Sequence, residues 1–375
     1  MRKVHISLVG RETAPVYLGI IQANPDLVIL IHSSDTEQET ERIIKESASF
    51  NIEKREFDPM DLRKIFISIE KLKQDLLSDD IISLNLVGGT KFWSLAFYSA
   101  FNQMENVEIY LIDQQNKVWD FKTQSAKRFS FDMERNFRLY GNPLVKYTPF
   151  TEFTDKDFQL IEDIEKYRAY NYDDFTKLTV AQNNKQKNEI SRNENKITLP
   201  SESSIEWNQS GFILLSLFKK KDNTIYEIEF NSPHSKQLIF NYAWFELKIA
   251  KILSQFYAPD NIYMNCRFPS YRGGDKNEVD IVINTGDKLL FVECKVKINA
   301  ITDIDKFRTV VRNYGGKSSK ALFITDANMN AIEIEKCNES NIAHFSLQDY
   351  KGKRLKTLQQ DLKMLLNNFI GLTNK

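Results

Sequence analysis

Asp280, Glu293 and Lys295 are the residues whose types and spacing suggest chemistry. They sit in two runs that are otherwise strongly apolar, EVDIVI at 278–283 and LLFVECKV at 289–296. Side chains alternate along a strand with period two, so Glu293 and Lys295 share one face and Cys294 takes the other. A short turn around Gly286 joins the runs, and a hairpin there brings Asp280 near Glu293. Charges are rarely set among Val, Ile, Leu and Phe without a partner, because desolvation is costly. A divalent metal is a natural partner for two carboxylates: Mg²⁺ prefers oxygen ligands, keeps several waters and often takes one or two carboxylates plus substrate phosphates. An ammonium beside them could orient or deprotonate an attacking water and stabilise developing charge.

Glu246 adds a third acid. It falls in a helix expected over 237–256, with Tyr242, Ile249, Ala250 and Leu253 around it at helical spacing and Lys248, Lys251 and Gln255 on another face. An acid on the core side of a helix fits a metal site or an ion pair better than solvation. The plainer alternative makes Glu293 and Lys295 edge-strand charges and lets Glu246 snorkel. The short hairpin, the apolar flanks and the upstream acid favour the metal.

A second candidate lies near the N-terminus. Strands are expected at 3–10, 27–33, 52–57, 81–87 and 107–112, with helices between them and a hairpin appended at 117–131. That alternation predicts a doubly wound parallel sheet. Ligands bind such sheets beyond the carboxyl ends of the strands at the switch point, in the common order between the first strand and the fourth. The loops there are Gly10-Arg11-Glu12-Thr13 and Gly88-Gly89-Thr90-Lys91. The second opens a helix, so its backbone N–H groups can bind an anion. Neither loop is GxGxxG or GxxxxGK[ST], which argues against a dinucleotide oxidoreductase and a P-loop NTPase. A lone Gly-Gly also reads as an ordinary tight βα turn.

The elements that must position these residues fit a chain of 375 residues, long enough for two or three domains. The boundaries expected are 1–146, a helical and polar linker over 147–205 with an exposed tip at 182–196, and a third section over 206–375 containing strands at 224–230, 278–283, 289–296, 320–325 and 342–346. Hydrophobic residues are 42% and charged residues 27%, which supports a sizeable core. The formal net charge is zero, excluding a protein that is basic throughout, but residues 207–375 carry 24 Lys+Arg against 18 Asp+Glu. That excess is permissive for a phosphate backbone. Cys266, Cys294 and Cys337 are too scattered for a disulfide framework or a zinc ribbon. No signal-peptide layout is seen, and no apolar run approaches the ~18–20 residues a membrane span needs. The cytoplasm is the expected compartment, with no membrane partner.

Asp280, then Glu293-Cys294-Lys295, with Glu246 on the preceding helix, resembles the PD-(D/E)XK nuclease superfamily over about residues 206–375; Val279 stands where the family name has Pro. The resemblance implies that Asp280 and Glu293 hold Mg²⁺ or Mn²⁺, that the backbone carbonyl of Cys294 joins them and that Glu246 assists. Asp305, Lys306, Arg308 and the Tyr314-Gly315-Gly316 turn sit where members often place substrate-binding groups; Lys306 and Arg308 read equally well as a solvated helix face. The order of parts, GGTK after an apolar strand and then this nuclease pattern, resembles the CARF-domain nucleases of type III CRISPR defence over nearly the whole chain. By that resemblance the fold is an N-terminal Rossmann-like CARF domain joined to a C-terminal restriction-endonuclease-like domain. Gly10, Arg11, Glu12, Thr13, Ser33, Gly88, Gly89, Thr90 and Lys91 match its ligand-binding positions. The chain is expected to form a homodimer that binds cyclic tetra-adenylate on its two-fold axis and then cuts DNA, RNA or both, with single strands and the nicking of supercoiled DNA among the expected substrates. The alternatives are a nucleotide-sensing regulator that binds nucleic acid without cutting, and a constitutive restriction- or repair-type nuclease.

Overall fold

The computed structural model describes residues 1–370 apart from 114–115, 130–131, 182–190, 194, 220, 222, 241–242, 270–274, 287, 299 and 317–318. The chain opens with β1 (Lys3–Leu8), α1 (Thr13–Ala23), β2 (Leu27–His32), α2 (Glu37–Glu46), β3 (Ile52–Glu56), α3 (Leu62–Gln74), β4 (Ile81–Asn85), α4 (Lys91–Phe101) and β5 (Val107–Ile112). A hairpin of β6 (Lys117–Asp120) and β7 (Ala126–Arg128) and then α5 (Met133–Leu139) complete this part. The sheet order is β3-β2-β1-β4-β5-β6-β7, parallel through β5 and antiparallel in the hairpin. The switch point therefore lies between β1 and β4, where the sequence places it. Every residue of β2 is buried because helices cover both faces of the sheet. Leu27, Ile29 and Ile31 pack with α3 and α4, while Val28 and Leu30 pack with α1 and α2.

The rest of the chain comprises β8 (Lys146–Pro149), α6 (Asp155–Arg168), α7 (Tyr172–Ala181), β9 (Ser191–Asn193), β10 (Lys196–Thr198), β11 (Ser204–Trp207), β12 (Phe212–Lys219), β13 (Thr224–Asn231), α8 (Ser235–Phe240), α9 (Ala243–Leu253), β14 (Ile262–Pro269), β15 (Asp275–Asn284), β16 (Leu289–Lys295), α10 (Thr302–Tyr314), β17 (Lys320–Thr325), α11 (Ala331–Glu339), β18 (Ala343–Ser346) and α12 (Leu355–Ile370). The main sheet runs β18-β17-β16-β15-β14-β8, with β16 parallel to β17 on one side and antiparallel to β15 on the other. A five-stranded sheet, β13-β12-β11-β10-β9, packs into the same core through Ile197, Ile205 and Leu215.

One expectation is corrected here. The segment 147–205 does not span solvent as a linker: β8 pairs with β14, and Leu160, Ile161, Ile164, Phe175 and Leu178 of α6 and α7 are buried with α9. These helices are polar overall but carry one apolar stripe, which is enough to dock them. The helix expected over 237–256 is described over α8 and α9, and residues 241–242 between them lie outside the described residues. Tyr242 and most of the expected tip at 182–196 lie outside the described residues. The two parts of the molecule meet through α5, whose Phe137 packs edge-on against Phe268 at 4.9 Å and Phe291 at 6.2 Å.

Candidate active site and ligand cavity

The β15–β16 hairpin pairs Ile281 with Val292, Val282 with Phe291, Ile283 with Leu290 and Asn284 with Leu289, so the next rung sets Asp280 level with Glu293. The period of two then puts Lys295 beside Glu293, Nζ to Oε1 2.5 Å, and 4.0 Å from Asp280 Oδ2. The Cys294 backbone N–H donates to Asp280 Oδ2 at 2.7 Å and fixes that carboxylate. The Cys294 side chain is buried in the core on the α9 side. Glu246, Asp280, Glu293 and Lys295 all line one cleft of about 830 Å³.

Burial disfavours charge on all three acids. Glu293 is raised to about 7, by desolvation and then by the negative charge of Asp280. Glu246 is pushed well up for the same two reasons, and Asp280 is raised by burial. Burial pulls Lys295 down, but attraction to Asp280 and Glu293 outweighs it and the ammonium is held above its usual range. In the metal-free cleft the ammonium form of Lys295 is thus favoured, and it can orient a water and stabilise negative charge.

This donor set fits a hard divalent cation. Buried Asp280 and half-buried Glu246 and Glu293 line one cleft with a single ammonium, and Glu246 Oε2 is buried with no hydrogen-bond partner. Among the described residues no three His, Cys, Asp or Glu side chains close into a ready metal cluster. The fit is therefore to an ion such as Mg²⁺ that takes one or two carboxylates and fills its shell with water.

The cleft also holds residues that the motif does not point to. Asn265, on β14, lies at the level of Asp280, between the pairs Met264–Ile281 and Cys266–Val279. Its φ of +51° is the only positive value of a non-glycine residue inside a strand among the described residues. The register of β14 against β8 shifts there, a bulge of the kind that re-aims a side chain. Its Nδ2 is buried without an acceptor. Lys146 and Lys236 line the same cleft with no ion-pair partner among the described residues. The alternation of buried Ile262, Met264, Cys266 and Phe268 was a legible strand signal that would have led to Asn265. Asp305, Lys306, Arg308 and the Gly315-Gly316 turn stand away from the cleft. Lys306 is an exposed partner of Asp303, Asp305 pairs with Lys336, and a Cβ on Gly316 would touch Tyr140.

At the switch point a cavity of about 440 Å³ is lined by Gly10, Arg11, Glu12, Gly88 and Gly89. The two loops touch through bare backbone: a Cβ on Gly88 would come 1.9 Å from the Leu8 carbonyl oxygen, and one on Gly10 2.9 Å from the Gly89 nitrogen. The other four expected residues do not line it. Thr13 is buried and donates to the Leu139 carbonyl, Ser33 caps the turn before α2, Thr90 caps α4 and donates to the Pro59 carbonyl, and Lys91 is exposed on the first turn of α4. The cavity instead takes Asn136 from α5, Tyr140 from its C-cap, and Asn284, Gly286 and Lys288 from the β15–β16 turn. Tyr140 donates to Glu12 at 2.8 Å. Sequence spacing could not show these, since they come from elements 120 or more residues from Gly10.

Residues 4–140 match the family described as the Card1 CARF domain. A search of curated proteins finds no match. Among solved structures, the chain is similar to Can2 from Sulfobacillus thermosulfidooxidans in complex with cyclic tetra-adenylate, at 18% identity over 98% of this chain and 99% of that one, with a TM-score of 0.68. It is similar to protein VC1899 from Vibrio cholerae at 13% identity over 97% and 98% of the two chains, with a TM-score of 0.72. A type III CRISPR defence DNA nuclease activated by cyclic oligoadenylate shares 16% identity over 86% of this chain and 45% of that one, with a TM-score of 0.55. At these identities the likeness is one of fold. Among the described residues no helix is long and apolar enough to cross a membrane.

Proposed function

We propose, from the premise that residues 4–140 are a CARF domain of the Card1 type, that the chain is a metal-dependent endonuclease of type III CRISPR defence switched on by cyclic tetra-adenylate. The observation that carries this reading is the convergence of Glu246, Asp280, Glu293 and Lys295 in one cleft on a chain whose residues 4–140 match a CARF family. The fold shared with Can2, a structure that holds cyclic tetra-adenylate, supports it. The nuclease domain begins at β8, directly after the sensor, with α6 and α7 part of its body.

Asp280 and Glu293 would hold Mg²⁺ or Mn²⁺ with the Cys294 carbonyl, and Glu246 is an outer acid. When bound, the ion supplies Lewis-acid polarisation of the scissile phosphate. The protein's own part is electrostatic and geometric. The Cys294 N–H holds Asp280 in place. Lys295, protonated and anchored on Glu293, positions the attacking water and meets charge that develops on phosphoryl oxygens. Lys146 and Lys236 draw the strand's phosphates to the cleft. The substrate is DNA or RNA, with single strands preferred.

Exposed Phe66 on α3 and Phe92 and Leu95 on α4 support a homodimer. The Trp93 indole and the Thr90 hydroxyl, bonded to Asp58 and Pro59, tie the start of α3 to the GGTK loop, so these apolar side chains flank that loop. A two-fold ligand on a two-fold dimer fits isologous symmetry.

The test is cleavage of labelled single-stranded DNA and RNA and of supercoiled plasmid, with Mg²⁺ or Mn²⁺, with and without cyclic tetra-adenylate. Cutting only with both metal and activator supports the reading, provided Asp280→Ala and Glu293→Ala abolish it. Cutting that ignores the activator would make this a constitutive nuclease. Binding of nucleic acid without cutting would make it a regulator.

A further inference from the structure

We infer that the nuclease domain supplies one wall of the activator site: Asn284 and Lys288, on the β15–β16 turn, contact the bound cyclic oligonucleotide and so set the position of the hairpin that carries Asp280 and Glu293. This rests on the reading above that the switch-point cavity takes that ligand.

The cavity is shared between domains. Gly10, Arg11 and Gly88 form its sensor side, and Asn284, Gly286 and Lys288 its other side. The turn is closed on itself. Thr285 donates to the Lys288 carbonyl from both its N–H and its hydroxyl, each at 3.0 Å, and the Gly286 N–H donates to Asn284 Oδ1 at 2.9 Å. Gly286 takes a φ of +94°, and a Cβ there would meet nothing within 4 Å, so positive φ demands the glycine rather than crowding. Lys288 lines the cavity while its ammonium donates to the Ile370 carbonyl at 2.8 Å, and a bound phosphodiester would draw that ammonium as a charge-assisted donor.

From that turn the ladder runs without a break to the acids. Four paired rungs separate it from Asp280 and Glu293, about 14 Å of strand. Ile281, Val282, Ile283, Leu290, Phe291 and Val292 are fully buried, so the two strands are clamped in their sheet and move as one piece. A second wall leads to the same strand: Asn136 of α5 and Tyr140 at its C-cap line the cavity, while Phe137 between them packs on Phe291. Whatever fills the cavity thus touches two elements that end on β16, two residues from Glu293. A ligand shifts such a unit only by its differential affinity for two positions, and the coupling is reciprocal: filling the cleft must change affinity for the activator by the same factor.

The experiment measures the Kd of fluorescent cyclic tetra-adenylate for the full-length protein, alone and with Ca²⁺ plus a phosphorothioate oligonucleotide in the cleft. For the unaltered protein the two values should differ by about 5- to 150-fold. In Asn284→Ala/Lys288→Ala the Kd should rise about 10- to 100-fold, the two values should converge, and saturating activator should no longer switch on cleavage. Lys288→Gln, which keeps the bulk, guards against misfolding and should show the same pattern at smaller size, with an unchanged melting temperature. Affinity, coupling and activation all unaltered in these variants would overturn the inference while leaving the nuclease reading intact. Weakened affinity with coupling intact would also overturn it, because the turn would then be a wall and not a lever. No binding or activation of the unaltered protein by the ligand would instead overturn the reading on which it rests.

Discussion

At Glu293, burial and then the charge of Asp280 push the carboxyl from 4.5 up to about 7. The folded protein holds that proton more tightly than the unfolded chain, so stability contributed by the neutral acid is present at low pH and is lost as pH rises from about 4.5 through 7. The metal-free protein should therefore melt at a lower temperature at pH 8 than at pH 5, and Glu293→Gln should flatten that slope; calorimetry across pH checks it. Asp280 and Glu246 are raised in the same direction and leave a residual slope. Asn265 carries a different expectation, because its donor is buried, unpartnered and level with Asp280. Asn265→Gly keeps the positive φ and removes only the amide. Cleavage should fall roughly 10-fold, the size of one hydrogen bond made to a phosphate, with the melting temperature nearly unchanged. A rate equal to that of the unaltered protein would show that the amide meets nothing in the reaction.

The decisive element of the N-terminal domain is the pair of loops after β1 and β4. They approach so closely that Gly88 has room for no side chain: its Cβ would meet a backbone oxygen of β1, which cannot swing away. Gly88→Ala should destabilise the domain by roughly 1–3 kcal/mol, seen in chemical denaturation, and weaken activator binding by moving the loop. Gly89→Ala acts differently, through a φ of +63° and contact with the Trp93 ring. Beside the acidic cleft the comparable element is β14, where one bulge falls at Asn265 while the flanking rungs stay in register.

Across the whole molecule, N-terminal domain and cleft are joined by α5 and the β15–β16 turn. The surface of α3 and α4 is where a second copy is expected. Leu95 is 70% exposed beside half-exposed Phe92. Leu95→Glu should shift the protein from dimer to monomer in sedimentation velocity and abolish activation, while single-chain folding survives, since Leu95 touches no core. A dimer that persists would move the interface elsewhere.

Much of this was legible in the residues. The alternation of apolar runs and helices dictated the parallel sheet, because strands covered on both faces must be apolar throughout, as β2 is. The period of two and the short turn put Asp280, Glu293 and Lys295 together, because local geometry alone relates them. Gly10, Arg11, Glu12, Gly88 and Gly89 follow from where a doubly wound sheet opens. What required the tertiary structure are relations between distant segments. A polar helix such as α6 reveals its docking only when its partner, α9, is in place. Thr13, Ser33, Thr90 and Lys91 look like their neighbours in sequence, yet three of them turn inward to cap or brace the backbone and Lys91 stays in solvent. The meeting of Arg11 with Lys288 at one cavity depends on how two domains pack, and no local pattern encodes a contact between surfaces that only the folded chain brings together.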